Sequence, residues 1–326
     1  MNILVTSAGR RVKIVECFKE SLKELGGKII ATDCDANAPA IYFADDYEVV
    51  PRIDEPNYIN KILELCKKYN IDGVVSLIDP ELDILARRKE EFERHNVQLV
   101  LSPVESLDIS FDKYKTYKFL DDKGISSVPT YNNLIEVRDL IKDNSISFPL
   151  VVKPAKGSAS IGVYIVSNEN ELTDAFNKHN DQIIQPYYKD REFGIDVYID
   201  MINGELVDMF IKEKISMRAG ETDKSISVHN QKIEKLVIEM IENTNFSGVI
   251  DIDCFEYDGN YYMSEINPRF GGGYPHAYEQ GCDFMTYILN NLQGKINPTY
   301  SSYTYKPNYI MLKYDNVKLI HQNNDL

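Results

Sequence analysis

A doubly wound α/β domain followed by an α+β region built of two lobes is the architecture this sequence predicts. Strand-sized apolar runs alternate with helical spacing as far as about residue 108, which implies a parallel sheet with helices on both faces. After Ser102-Pro103 the pattern changes to strands paired through Asn203-Gly204 and Asp258-Gly259, dipeptides that favour hairpin turns. With 326 residues the chain has the length for two or three such units.

Taken in order, residues 2–6 form the first apolar run. Val12, Val15, Phe18, Leu22 and Leu25 then recur at helical spacing until Gly26-Gly27 stops the helix. A second strand is expected at 28–32, then a helix at 58–69, a strand at 73–77, a helix at 81–95 and a strand at 97–101. Beyond the change, helices are expected at 113–123 and 134–143, a strand at 148–153, a small-residue loop and a strand near 163–166. A helix at 169–179 and a strand at 183–185 follow, then strands at 193–200 and 205–213, a helix at 231–243, and a hairpin of 249–257 with 261–266.

The longest apolar runs are strand-sized, far below the roughly 20 residues of a membrane helix, so no membrane partner is expected. The first ten residues enter a strand without a charged-then-apolar leader, which predicts a cytoplasmic protein. Five scattered cysteines with no C-x-x-C pair read as buried free thiols. A net charge of −15 argues against a nucleic-acid partner, because phosphate backbones repel such a surface. A nucleotide can still bind where positive charge is concentrated locally.

Two segments offer that chemistry. In Phe148-Pro-Leu-Val-Val-Lys153-Pro-Ala-Lys156-Gly157-Ser-Ala-Ser-Ile-Gly162-Val163, glycines and small residues leave backbone N–H groups free to approach an anion, with lysines before them. A strand follows rather than Lys-Ser/Thr and a helix, so a Walker A loop is ruled out; a plain hairpin tip is the competing reading. The second segment is Asp251-Ile-Asp253-Cys-Phe-Glu256 with Ser264-Glu265-Ile-Asn267-Pro-Arg269. Alternation puts Asp251 with Asp253, and Glu265 with Asn267, on one side of two strands joined through Asp258-Gly259. Asp253, Glu265 and Asn267 are then a hard-oxygen set suited to Mg²⁺, or Mn²⁺ in its place, shared with nucleotide phosphates. A solvated acidic hairpin is the alternative.

The order Asp112-Lys113, Val152-Lys153-Pro154, small-residue loop, Ile184-Gln185-Pro186-Tyr187-Tyr188, Glu192-Phe193, Asp253 and Glu265-Ile266-Asn267-Pro268-Arg269 resembles the ATP-grasp superfamily. Within it the chain is most similar to one ATP-grasp half of the carbamoyl-phosphate synthetase large chain. The resemblance implies a Rossmann-like pre-ATP-grasp domain (1–108), an ATP-grasp small lobe (109–184) and a large lobe with a C-terminal tail (185–326). It implies that Lys113 and Lys153 contact ATP phosphates, with the loop of Lys156, Gly157, Ser158, Ser160 and Gly162 folding over them. Gln185, Tyr187 and Tyr188 would form the adenine hinge, although Pro186 offers no N–H, and Glu192 would take the ribose hydroxyls. Arg269 would neutralise a phosphate or acyl phosphate, and Arg218 is a candidate γ-phosphate contact. Gly271, Gly272 and Gly273 would leave room for a substrate beside His276. The turn Ser7-Ala8-Gly9-Arg10-Arg11, with Ser7 and Arg10 foremost, is a further substrate candidate or a merely structural turn, while Asp79 and Glu81 face the same crevice or simply start a helix.

The implied activity is an ATP- and Mg²⁺-dependent ligase that joins a small-molecule carboxylate to an amine or related nucleophile through an acyl phosphate. Tyr274, His276 and Tyr278 suggest an acid larger than bicarbonate. A carbamoyl-phosphate-forming activity on bicarbonate and ammonia is the first alternative. A nucleotide-binding protein without turnover is the second; loss of a metal ligand or phosphate lysine would favour it, and none is lost. A homodimer is left open.

Overall fold

The computed structural model describes residues 1–157 and 162–321. In the N-terminal domain, β1 (Asn2–Thr6), β2 (Lys28–Asp33), β3 (Asp46–Val49), β4 (Gly73–Ser76) and β5 (Gln98–Val100) form a parallel sheet in the order β3-β2-β1-β4-β5. Helices α1 (Val12–Lys23), α2 (Tyr58–Lys68), α3 (Asp79–Ala86) and α4 (Lys89–Glu93) connect the strands. Alternation along β1 decides which helix packs where: Ile3 and Val5 join Ile14, Val15 and Phe18 of α1, whereas Leu4 joins Ile59, Ile62 and Leu65 of α2. The one helix expected over 81–95 is two. Leu85 and Phe92 lie two helical turns apart and so stay in phase across the exposed Arg87-Arg88-Lys89-Glu90, and periodicity alone hides the break at Arg87-Arg88.

Helices α5 (Val104–Ser110) and α6 (Lys113–Asp122) lead to a small lobe, in which α7 (Leu134–Lys142) and α8 (Glu169–Phe176) pack on a sheet of β7 (Tyr164–Val166), β6 (Leu150–Pro154) and β8 (Gln182–Pro186). The large lobe holds β9 (Glu192–Ile199), β10 (Leu206–Arg218), β11 (Glu221–Ser227), β12 (Gly248–Tyr257) and β13 (Asn260–Asn267), with α9 (Gln231–Glu242) against them. Helices α10 (Tyr274–Glu279) and α11 (Phe284–Leu292) follow, and β14 (Ile310–Leu312) completes the sheet order β13-β12-β9-β10-β11-β14. Phe284, Met285 and Ile288 of α11 share one core with β1 and α1, so the large lobe and the N-terminal domain are fused by apolar burial.

Strand β10 runs five residues beyond its expected end at 213 and turns back into β11 through Ala219-Gly220, both at positive φ (+50° and +77°). The extension Lys214-Ile215-Ser216-Met217-Arg218 alternates polar and apolar residues as a strand does, with Ile215 and Met217 exposed. The three-residue β14 and the helices α10 and α11 also go beyond the elements expected from sequence. Of the five cysteines four are buried, but Cys34 is exposed in the turn after β2. No helix among the described residues is long and apolar enough to cross a membrane.

Candidate active site

A cleft of about 460 Å³ opens between the small lobe and the sheet of the large lobe, with Arg11 of the N-terminal domain on its wall. A larger groove, about 770 Å³, lies between the end of β5 and the β9–β10 turn, but it gathers none of the lysine–carboxylate pairs described below.

Lys113 is fixed by its helix start. Asp112 caps α6 by accepting from the Tyr114 and Lys115 amides (3.0 and 3.1 Å), and the Lys113 amide donates to Ala155 O (2.9 Å), just past β6. Its ammonium donates to Gly157 O (2.7 Å) and lies 3.3 Å from Glu265 Oε1. Lys153, at the end of β6, approaches the same oxygen at 3.7 Å. Burial lowers the Lys153 pKa; Glu265 offsets this in part and Lys113 adds to it.

The β12–β13 register places Asp253 opposite Glu265 and Asp251 opposite Asn267, so the expected hairpin forms. Lys214 of β10 lies between two carboxylates, 2.6 Å from Asp253 Oδ1 and 2.7 Å from Glu192 Oε1. It reaches across β9 because Gly194 stands between; a Cβ there would lie 3.2 Å from Lys214 Cε. Burial pulls the Lys214 ammonium down, yet Asp253 and Glu192 outweigh it and hold its pKa above the usual range. Burial raises Glu192, against the pull of Lys214. Burial and the neighbouring Asp253 push the Asp251 carboxyl up to about 7.

Among the described residues no three His, Cys, Asp or Glu side chains cluster as a metal site. Asp253, Glu265 and Asn267 still fit Mg²⁺ in chemistry: they are two carboxylates and an amide oxygen, and the carboxylates already draw three ammonium groups to them. Phosphate oxygens and water would complete such a shell, the usual arrangement for this ion.

Arg269 makes a two-pronged contact with Asp79 of α3, Nε to Oδ1 at 2.8 Å and Nη2 to Oδ2 at 2.9 Å. Burial lowers its pKa but Asp79 and Asp251 raise it further, so the guanidinium is held charged beside the Asn267 amide. Asp79 therefore meets the cleft only through Arg269, which lines it. Glu81 does not: it is fully buried inside the N-terminal domain, bonded to the Tyr58 hydroxyl and to Ser76 Oγ (2.6 Å).

Lys156, Gly157, Gln185, Tyr187, Tyr188 and Glu192 all line the cleft. The Gln185 side chain donates to Thr130 Oγ1 (2.7 Å), and the Tyr187 amide donates to Pro149 O (3.3 Å) within the small lobe. Tyr188 stacks on Tyr257 (4.5 Å, 15°), joining the hinge to the β12–β13 hairpin. Gly162 takes a φ of +75° beside Pro154. Ser158 and Ser160 lie outside the described residues.

Several expected contacts are placed elsewhere. Arg218 is half-exposed and spent on Asp223 (3.0 Å) and Asp315 (2.9 Å), outside the cleft. His276 is buried, bonded to Ser225 Oγ (2.8 Å) and packed on Phe210; burial, then Lys212, lowers its pKa to about 4. Tyr274 is fully buried with its hydroxyl on Cys282 O (2.9 Å), and Tyr278 packs against the shared core. These side chains therefore give no measure of the acid's size. The space at Gly271 and Gly273 is taken by the protein's own groups, since a Cβ would lie 2.4 Å from Asp251 and 2.5 Å from Lys212 Cε. Gly272 lines the cleft, and a Cβ on it would strike Glu221. Ser7 holds the turn after β1 at φ +49°, and Arg10 crosses to the β10–β11 turn, at Ala219 O (2.9 Å) and Glu221 (3.3 Å).

Arg11 belongs to the turn that the sequence offers as a substrate candidate, and it lines the cleft; the sequence gives no role to Lys214, Glu221 or Lys313. Lys214 had a signal, since Lys212 and Lys214 share a strand face. Glu221 and Lys313 had none, because β11 and β14 were not foreseen.

The chain belongs to the ATP-grasp family: residues 110–273 match the ATP-grasp domain. Residues 3–100 match the PylC-like N-terminal domain. It is 30% identical to D-alanine–D-alanine ligase of Pseudothermotoga lettingae over 78% of this chain and 82% of that protein. It is 24% identical to the carbamoyl phosphate synthase arginine-specific large chain of Halalkalibacterium halodurans over 88% of this chain, but spans only 28% of that protein. In fold it is similar to the biotin carboxylase domain of Hydrogenobacter thermophilus 2-oxoglutarate carboxylase, solved with MgADP (TM-score 0.74, 17% identity, 94% of this chain and 73% of that one). L-amino acid ligase from Bacillus licheniformis is likewise similar (TM-score 0.66, 20% identity, 90% and 74%).

Proposed function

We propose that this protein is an ATP-dependent carboxylate–amine ligase working through an acyl phosphate. The observation that carries the reading is the convergence of Lys113, Lys153 and Lys214 on Asp253 and Glu265 in one interlobe cleft. ATP is the co-substrate, with adenine at the Gln185–Tyr188 hinge and phosphates toward the lysines. In the first step a carboxylate oxygen attacks the γ-phosphorus and ADP leaves. In the second an amine nitrogen attacks the acyl carbon, phosphate leaves, and the nitrogen gives up a proton. Lys113, Lys153 and Lys214 spread the charge of the transferring group, and Arg269, braced by Asp79, holds the charge that builds beside it. Mg²⁺, when held by Asp253, Glu265 and Asn267, would screen the phosphate charge. The similarity to a D-alanine–D-alanine ligase and an L-amino acid ligase supports amino acids as the first substrates to try.

The test is an ADP- and phosphate-release screen of acid and amine pairs with Mg²⁺-ATP, with hydroxylamine added to trap an acyl phosphate as a hydroxamate. The expected result is ADP and phosphate in equal amounts, dependent on both partners, and a hydroxamate of the acid. AMP and pyrophosphate as products would overturn the acyl-phosphate reading. The similarity to the carbamoyl phosphate synthase large chain favours one second reading, which wins if bicarbonate and ammonia prove the best pair.

A further inference from the structure

Three cations converge on a single carboxylate at the end of the cleft nearest the N-terminal domain. Arg10 and Arg11, in the turn after β1, reach Glu221 at 3.3 and 3.1 Å. Lys313, the residue after β14, reaches it at 3.4 Å. Lys313 is held in place: its amide donates to Asp223 O (3.1 Å) and its ammonium to Gly272 O (2.7 Å). The tail beyond it is tied down twice more, by Asp315 on Arg218 and by Lys318, which donates to Tyr42 O and lies 4.0 Å over the Phe43 ring. Arg11, Glu221 and Gly272 line the cleft directly.

Three positive groups around one negative group leave two positive charges uncompensated. The neighbours do not make up the difference. Arg269 repels Arg11 and is already paired with Asp79. Burial, and then the repulsion of Lys313 by Arg11 and Arg10, lower the Lys313 pKa despite Glu221. Holding surplus cations in a partly desolvated cleft is costly unless an anion joins them. Glu221 keeps them in place until it does. The ATP-grasp match ends at Gly273, so Lys313 is supplied by chain beyond the matched domain.

We propose that Arg11 and Lys313, with Arg10 at the rim, form an anion subsite that holds a carboxylate or phosphate group of the substrate other than the carboxylate being activated. The subsite rests on the ligase reading only in taking its occupant to be part of a ligase substrate. Substrates that fit carry a fixed second negative group: a dicarboxylic acid, an amino acid whose α-carboxylate is spared, or a phosphorylated acid.

The test is equilibrium binding to the full chain loaded with Mg²⁺ and a non-hydrolysable ATP analogue, titrated calorimetrically with succinate, L-glutamate and inorganic phosphate, and with neutral succinamide for contrast. At least one anion is expected to bind while succinamide does not. Lys313→Met should weaken that binding roughly tenfold, the scale of one lost hydrogen bond to a charged group, and Lys313→Arg should restore most of it. Lys318→Met, which loosens the tail without touching Glu221, should bind as wild type, separating loss of the cation from loss of tail order. Binding of phosphate alone assigns a phosphorylated substrate, and binding of the carboxylates alone a dicarboxylate or amino acid. If no anion binds more tightly than succinamide, or Lys313→Met binds as wild type, the subsite does not exist. Failure of the ligase reading shows separately, as the absence of ADP release from every pair in the turnover screen.

Discussion

Lys212 and Lys214 stand two residues apart on the same face of β10, each paired with a carboxylate from β9, yet their surroundings differ. Lys212 and Asp196 are both only 1% exposed and meet in a sealed pair beneath the glycine run. Lys214 is nearly as buried, but its partners Glu192 and Asp253 are 32% and 22% exposed and open on the cleft. A lysine whose partners can exchange it for a phosphate or a metal ion is available for chemistry. One whose partner is sealed serves the fold, because an unpaired charge there has no water to turn to. The difference between a structural and a functional ion pair here lies in the exposure of the carboxylate.

Substitutions can break that contrast. The largest effect is expected at Glu265→Gln, which keeps the shape but removes one charge from the cleft: Mg²⁺-dependent turnover should be lost almost completely with an unchanged melting temperature. Wild-type rates in this variant would remove Glu265 from the site. Lys153→Ala should cost on the order of 10²–10³ in kcat, the scale of one preorganised charge-stabilising donor. An unaltered kcat and ATP affinity would reduce it to a strand-end lysine.

The pair on β10 sharpens the comparison. Lys212→Met leaves Asp196 buried without its partner and should cost about 3–5 kcal/mol of stability in denaturant titration. Lys214→Met should cost less stability and more activity, since its carboxylates keep contact with water. The reverse order would mean that partner exposure does not separate the two roles.

The smallest effect concerns His276, which lies over the sealed layer beside Ser225 and Lys212. Its folded pKa of about 4 is below the unfolded value near 6.5. The unfolded chain therefore binds the proton more readily between these values. The stability contributed by neutral His276 is complete above about pH 6.5 and is lost as pH falls toward 4. His276→Gln should flatten that part of the stability–pH curve, and an unchanged slope would show that His276 does not titrate on unfolding.

Much of this molecule was legible in its residues. Alternation in Asp251-Ile-Asp253 and Glu265-Ile-Asn267, with the Asp258-Gly259 turn, made the hairpin and its polar face legible, since strand period and turn length are local properties. The turn alone would set Asp253 against Ser264; a bulge between Asp253 and Cys254 moves it opposite Glu265. The strand–helix rhythm up to residue 108 likewise determined a parallel sheet with helices on two faces. Tertiary structure decided what depends on distance across the fold. It placed Asp79 of the first domain on Arg269, and it used the space of Gly271 and Gly273 for Asp251 and Lys212. It also buried His276 and brought Lys313 to Glu221 through a three-residue edge strand. Such contacts join residues far apart in the chain, 190 positions for Asp79 and Arg269; whether a side chain there meets water, a ligand or another charge is set by packing, which no local pattern records.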